Sequence, residues 1–124
     1  VLFRSAISAW QGERMVGYLF FHPWLFHKQV ALDTDQITIE ASADCYYIHD
    51  MSVDPGLRSL GIGRSLMDLM IGKALEHSIA KFSLVAVQDS EPYWERWQFQ
   101  RRKSMTYGGM AATFMQCEGI PKWV

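Results

Sequence analysis

The sequence predicts an α/β (α+β) domain built around one strand–loop–helix unit, and three observations carry that prediction. An apolar, β-prone run, Tyr46-Tyr47-Ile48-His49-Asp50-Met51-Ser52-Val53, ends at an Asp54-Pro55-Gly56 turn. A basic, glycine-containing segment, Arg58-Ser59-Leu60-Gly61-Ile62-Gly63-Arg64-Ser65, then opens directly into a helical pattern. A second buried strand over 82–87 and a short helix follow, giving a βαβα order from Tyr46 onward. At 124 residues the chain has room for one domain, 1–124, and not for two.

Composition limits the function classes. Half the residues are hydrophobic and a fifth charged, the profile of a globular domain with a real core. Twelve basic residues against 13 acidic ones give no basic footprint, which argues against nucleic acid as a partner. No apolar run approaches the roughly 20 residues that cross a bilayer. Cys45 and Cys117 have no metal-like spacing and read as buried packing residues, so no metal and a reducing, cytoplasmic setting are expected.

The elements follow in order. Residues 5–10 alternate, Gln11-Gly12-Glu13-Arg14 is turn-like and 15–21 is apolar, which reads as a β-hairpin. The stretch 22–44 reads as an irregular, partly buried loop. Pro23, Trp24, Phe26 and His27 lie in it, with a turn at Asp33-Thr34-Asp35 and a short strand over 37–39. It is expected to contact substrate. Leu66, Met67, Leu69, Met70, Ile71, Ala74 and Leu75 recur at helical spacing over 64–78. Ser90 is placed to cap a short helix that has Pro92 in its first turn and runs to about Trp97. Arg101-Arg102-Lys103 reads as a solvated strand edge. Residues 104–107 and 111–117, joined by Gly108-Gly109, read as a final hairpin and a candidate homodimer edge; 118–124 reads as a tail.

The strand–loop–helix unit suggests an anion site. The first turn of a helix has N–H groups without intrahelical partners and the positive end of the dipole. Gly61 and Gly63 allow close backbone approach or positive φ, and Arg58 and Arg64 add charge. A Rossmann loop is disfavoured, because the third glycine is missing and the connection is too long.

Arg58-Ser59-Leu60-Gly61-Ile62-Gly63 fits the R/Q-x-x-G-x-G/A pyrophosphate loop of the GNAT superfamily of N-acetyltransferases, and the resemblance covers about the last two thirds of the chain. Residues 46–53 resemble that family's fourth strand and Phe82-Ser83-Leu84-Val85-Ala86-Val87-Gln88 its fifth. Tyr93-Trp94-Glu95-Arg96-Trp97-Gln98-Phe99 is similar to its short helix ending in Gly-Phe. The hairpin over 5–21 then corresponds to the family's second and third strands. The resemblance implies a GNAT-type acyl-CoA N-acyltransferase fold, a mixed, mostly antiparallel sheet flanked by helices. It also implies a preceding strand and two helices that are not evident, as expected of a chain truncated at its N-terminus; the start, Val1-Leu2-Phe3-Arg4-Ser5, lacks an initiator Met.

Its functional implications are specific. The co-substrate is acetyl-CoA and the acceptor a primary amine of a small molecule or peptide. The pyrophosphate falls to Arg58, Ser59, Leu60, Gly61, Ile62, Gly63, Arg64 and Ser65. Met51, Ser52 and Val53 carry the amide contacts to the pantetheine arm, with the Val53 N–H as oxyanion donor. Ser90 contacts the cofactor after the fifth strand. Asp50 is the candidate base, alternating with a packed His49 on the opposite face. The family's usual acid, a tyrosine five residues before the Gly-Phe phenylalanine, is Trp94 here, and its glycine is Gln98; Tyr93 is the substitute acid. The departure at Trp94 also admits a second reading, a non-catalytic acyl-CoA-binding module.

Overall fold

The computed structural model describes residues 5–27 and 43–124. The elements are β1 (Ser5–Gln11), β2 (Arg14–Trp24), β3 (Cys45–Val53), a 3₁₀ segment (Pro55–Leu60), α1 (Ile62–Glu76), β4 (Lys81–Val87), α2 (Glu91–Arg96), β5 (Gln100–Tyr107) and β6 (Met110–Glu118). They form one six-stranded sheet in the order β1-β2-β3-β4-β6-β5. Every neighbouring pair is antiparallel except β3 and β4, which are joined through α1.

The β1–β2 turn has Gly12 at φ 62°. β2 continues to Trp24, three residues beyond the expected apolar run, with Pro23 opposite Tyr46 on β3. Among the described residues β1 pairs with β2 up to Phe21, and Pro23 is paired with β3 alone. The turn expected at Asp33-Thr34-Asp35 and the strand over 37–39 lie outside the described residues.

α1 buries Leu66, Met67, Met70, Ile71 and Ala74. Leu69 and Leu75, which fit the helical spacing, are exposed. The buried stripe joins Leu19 and Phe21 of β2, Ile48 of β3, Leu84 of β4 and Trp94 of α2 in the principal core. Each such side chain contributes about 1.5–3 kcal/mol. Gly17 sets the helix's distance from the sheet, since a Cβ there would lie 3.1 Å from Ile62 Cγ2 and 3.2 Å from the Ser52 carbonyl oxygen. A second cluster, Trp24, Phe26, Cys45 and Tyr47, is packed with Val85. Both cysteines are buried and free, and burial pushes the Cys45 thiol up to about 12 and Cys117 to about 11.

α2 ends in a left-handed residue. Gln98 has φ 71°, its N–H donates to the Glu95 carbonyl and the Phe99 N–H donates to that of Trp94. The Trp94 and Phe99 rings meet edge to face, completing a Schellman motif on a residue that is not glycine. α1 ends the same way at Ser78, φ 58°. β5 closes the sheet as an exposed edge in which Arg101 pairs with Glu95 at 3.0 Å and Arg102 bonds Gln116. Three successive cations blunt this edge.

Residues 118–124 are packed rather than loose. The Val124 N–H donates to the Arg96 carbonyl, Arg96 Nε donates to the Val124 carbonyl, and Trp123 lies against the principal core.

Candidate active site

The parallel pairing of β3 and β4 covers only Tyr46↔Phe82, Tyr47↔Ser83 and Ile48↔Leu84. Beyond Ile48 the two strands part, and the fork opens into a cleft of about 900 Å³. Its walls are 48–53 of β3, Leu84, Val85 and Val87 of β4, the loop before α1, and residues of α2.

Backbone direction on the β3 side of the fork follows from one hydrogen bond. The Asp54 N–H donates to the Val16 carbonyl on β2 at 2.8 Å. N–H groups alternate along a strand, so those of Met51 and Val53 point away from β2, into the fork. Ser52 turns its backbone to β2, with its carbonyl oxygen against Gly17. Of the three residues expected to offer amides here, Met51 and Val53 face the cleft with their backbones and Ser52 does not.

The loop is held from below. Asp54 accepts the Gly56 N–H at 2.9 Å and pairs with Arg14, which fixes the start of the 3₁₀ segment. Gly61 ends that segment at φ 76°, a left-handed conformation glycine adopts without cost, and α1 begins at once. Among the described residues no side chain caps α1, and its first turn contains no acidic residue, so its leading N–H groups are left to the cleft mouth. Gly63 brings the helix close to α2: a Cβ there would lie 3.0 Å from the Tyr93 hydroxyl, which would have to shift. Arg58, Ser59, Gly61, Gly63 and Arg64 line the cleft. Leu60, Ile62 and Ser65 do not, Leu60 being exposed and Ile62 packed on the core, so these three can offer only backbone groups.

A β-bulge decides which side chains of β3 meet. Phe20 pairs with Asp50 but Phe21 with Ile48, leaving His49 as the extra residue. The His49 ring lies 6.2 Å from that of His22, while the Asp50 carboxylate accepts the Tyr18 hydroxyl at 2.9 Å. Tyr18 and His22 alternate on one face of β2, so His49 and Asp50 share that face. The expectation that His49 is packed on the opposite face is thereby corrected: the bulge breaks the alternation, and His49 is exposed in the cleft beside Asp50. The Asp50 carboxylate raises the Tyr18 phenol above its ordinary value through that hydrogen bond.

On the far side, Gln88 and Asp89 take consecutive left-handed conformations, φ 56° and 58°, and the Ser90 N–H donates to the Val87 carbonyl. This tight turn brings Gln88 and Ser90 into the wall. Ser90 occupies the N-cap position of α2, but its side chain makes no cap hydrogen bond, correcting the expected cap. Tyr93 and Trp94 both line the cleft. Trp94 is buried against Phe99, whereas the Tyr93 hydroxyl reaches the first turn of α1 and burial raises its pKa.

Among the lining residues that the sequence reading did not assign to the site are Tyr18, Gln88 and Trp123. Tyr18 and Gln88 carry no local signal, since one acts through β2–β3 pairing and the other through an unusual turn. Trp123 had one: an indole just after Pro121 in a short polar tail is a packing group looking for a surface. Among the described residues no cluster of His, Cys, Asp or Glu could hold a metal, and no helix is long and apolar enough to cross a membrane.

Solved structures share this architecture. An acyl-CoA N-acyltransferase from Pseudomonas aeruginosa matches 91% of the chain at TM-score 0.65 and 16% identity. The ribosomal-protein-S18-alanine N-acetyltransferase of Escherichia coli matches 98% at TM-score 0.64 and 15% identity. An aminoglycoside 6′-N-acetyltransferase complexed with coenzyme A matches 96% at TM-score 0.67 and 13% identity. The chain spans 67%, 72% and 74% of their respective lengths. At these identities the likeness is one of fold. No curated protein sequence matches. The sequence model of the acetyltransferase (GNAT) family, however, matches residues 3–99, most of the chain and all of the strand–loop–helix unit. The chain belongs to the acetyltransferase (GNAT) family.

Proposed function

We propose that the protein transfers an acetyl group from acetyl-CoA to a primary amine of a small molecule or peptide, by direct attack in a ternary complex. The observation that carries this reading is the continuity of the uncapped first turn of α1 with the β3–β4 fork. A pyrophosphate on the N–H groups of 61–65, with Arg58 and Arg64 beside it, leaves the pantetheine arm to run down the fork along Val53 and Met51. Ser90 faces the arm from the opposite wall. The thioester then lies deepest, toward Asp50. The Met51 N–H, adjacent to Asp50, polarises the carbonyl in preference to the Val53 N–H, which is nearer the loop and meets the arm.

The amine enters on the face shared by His49 and Asp50. Its ammonium loses a proton to the Asp50 carboxylate, directly or through water, while Tyr18 holds that carboxylate in place. The free amine attacks the thioester carbon, the C–N bond forms and the C–S bond breaks. The departing thiolate takes a hydrogen bond from the Tyr93 hydroxyl. A buried phenol is a weaker acid than a thiol, so Tyr93 stabilises the sulfur, while the second proton shed by the attacking nitrogen reaches the thiolate through water.

The test is calorimetry with acetyl-CoA on the native chain and on Gly61→Glu with Arg58→Ala. Binding near micromolar, about −8 kcal/mol, and its loss in the variant are expected. Thiol release across a panel of amines follows. A folded native chain that fails to bind acetyl-CoA sinks the reading. Tight binding with no turnover on any amine leaves the non-catalytic acyl-CoA-binding module.

A further inference from the structure

Trp123, in the segment after β6, lies well outside the pyrophosphate loop and yet lines the acyl-CoA cleft. Its indole touches both helices. The Arg64 guanidinium of α1 lies 5.5 Å from its ring centre and that of Arg96 of α2 lies 4.1 Å away. The Tyr93 and Trp97 rings are at 5.4 Å and 5.3 Å. The segment is fixed by paired hydrogen bonds between Val124 and Arg96, so the indole's position is set by the fold.

Two features of this arrangement point to an anionic ligand. Arg64 is not ion-paired with a carboxylate among the described residues, whereas Arg96 is already engaged, its Nε donating to a Val124 oxygen at 2.9 Å. Arg64 instead lies against the indole, whose ring quadrupole attracts a cation without neutralising it. And it stands in the first turn of α1, the end that is already positive and uncapped. Two sources of positive potential therefore meet at one rim of the cleft, backed by an aromatic group rather than by an acid that would compete with phosphate.

We infer that Trp123 is a positioning residue of the acyl-CoA site, holding the Arg64 guanidinium at the cleft rim for a phosphate of the cofactor while its ring backs Tyr93. The inference rests on the proposed acyl-CoA reading. The shared chemistry is a phosphate on a guanidinium, which either the pyrophosphate or the 3′-phosphate supplies.

Calorimetry with acetyl-CoA and with 3′-dephospho-CoA on the native chain, Trp123→Ala, Trp123→Phe and Arg64→Ala tests it. Trp123→Ala weakens acetyl-CoA about tenfold, and Trp123→Phe, which keeps a ring face, recovers most of the loss. The dependence of log Kd on log salt becomes shallower in Trp123→Ala, as expected when a phosphate contact is lost. Adding Trp123→Ala to Arg64→Ala weakens binding by less than it does in the native background. If the loss is equal with 3′-dephospho-CoA, the pyrophosphate is the partner; if it shrinks, the 3′-phosphate is. Native binding with a Trp123→Ala affinity within twofold overturns this inference alone, as does a loss that Trp123→Phe does not relieve or that leaves the salt slope unchanged. No binding by the native chain overturns the acyl-CoA reading itself.

Discussion

Gly63 couples the loop to α2 by contact, and the coupling can be measured. An alanine Cβ at 63 meets Met51 Cε and Val53 Cγ2 at an ordinary 3.8 Å, but the Tyr93 hydroxyl at 3.0 Å. That oxygen must retreat by a few tenths of an ångström, while its ring is wedged against Trp94 at 5.1 Å and Trp123 at 5.4 Å. Overpacking of this kind costs about 1–3 kcal/mol, and replacing a helical glycine by alanine returns about 1 kcal/mol. Gly63→Ala is therefore expected to lower stability by about 1 kcal/mol, or Tm by roughly 3–6 °C for a domain of this size. Tyr93→Phe removes the clashing oxygen. In that background Gly63→Ala keeps the helix gain without the clash and becomes neutral or stabilising. Thermal and urea unfolding of the four proteins give the coupling energy, expected at about 1–2 kcal/mol. Identical effects of Gly63→Ala in both backgrounds, within about 0.5 kcal/mol, refute the placement of the Tyr93 hydroxyl over the first turn of α1.

Other substitutions probe other links. Gln98→Gly removes a left-handed non-glycine residue, φ 71°, and is expected to stabilise the chain by about 0.5–1 kcal/mol, seen as a higher Tm; no gain would contradict the Schellman geometry. Asp50→Asn is expected to lower kcat about 10²–10⁴-fold with acetyl-CoA affinity unchanged. Tyr18→Phe, which removes the hydroxyl that donates to the carboxylate, should cost less than Asp50→Asn and act on kcat with the same sign. The buried thiols set the alkaline limit. Native Cys45 and Cys117 hold their protons up to about 12 and about 11, whereas in the unfolded chain they ionise near 9.0. The unfolded state thus sheds protons that the native state keeps, and stability falls as pH rises from about 9 toward 11. Thermal melts between pH 7.5 and 10.5 should show that decline, and a thiol reagent at pH 8 should label neither cysteine until denaturant is added.

The fold was readable where a local signal and a long-range demand coincide. The run 46–53 is β-prone and also buried at Tyr46, Tyr47 and Ile48. Gly61 stands where a left-handed residue is needed, and Gly63 where a side chain would crowd the Tyr93 hydroxyl. Such positions announce themselves in one sequence because backbone and packing ask for the same residue. Helix ends were less legible: Gln98 and Ser78 occupy left-handed positions that glycine would mark, and only tertiary contacts such as Trp94 against Phe99 hold them there. The continuation of β2 through Pro23 was hidden because a proline within an apolar run reads as a break, while here the pairing with β3 runs on through it to Trp24.

His49 shows why the candidate site was harder to read than the scaffold. Alternation along a strand is a sound rule, and by that rule His49 and Asp50 must diverge. The bulge opposite Phe20 and Phe21 inserts one residue and puts both on the same face, yet nothing in Ile48-His49-Asp50 marks a bulge, because its cause is the register that β2 imposes from more than 25 residues away. The same is true of Tyr18, whose hydrogen bond to Asp50 crosses that pairing, and of Trp123, which reaches the cleft from the segment after the last strand. Most of the parts proposed to grip a cofactor are contiguous and come from one stretch, 51–65. The parts proposed to move protons are contributed by β2, β3 and α2. A single sequence therefore shows the candidate cofactor loop through its own spacing, while the candidate proton path has to be read from strand register.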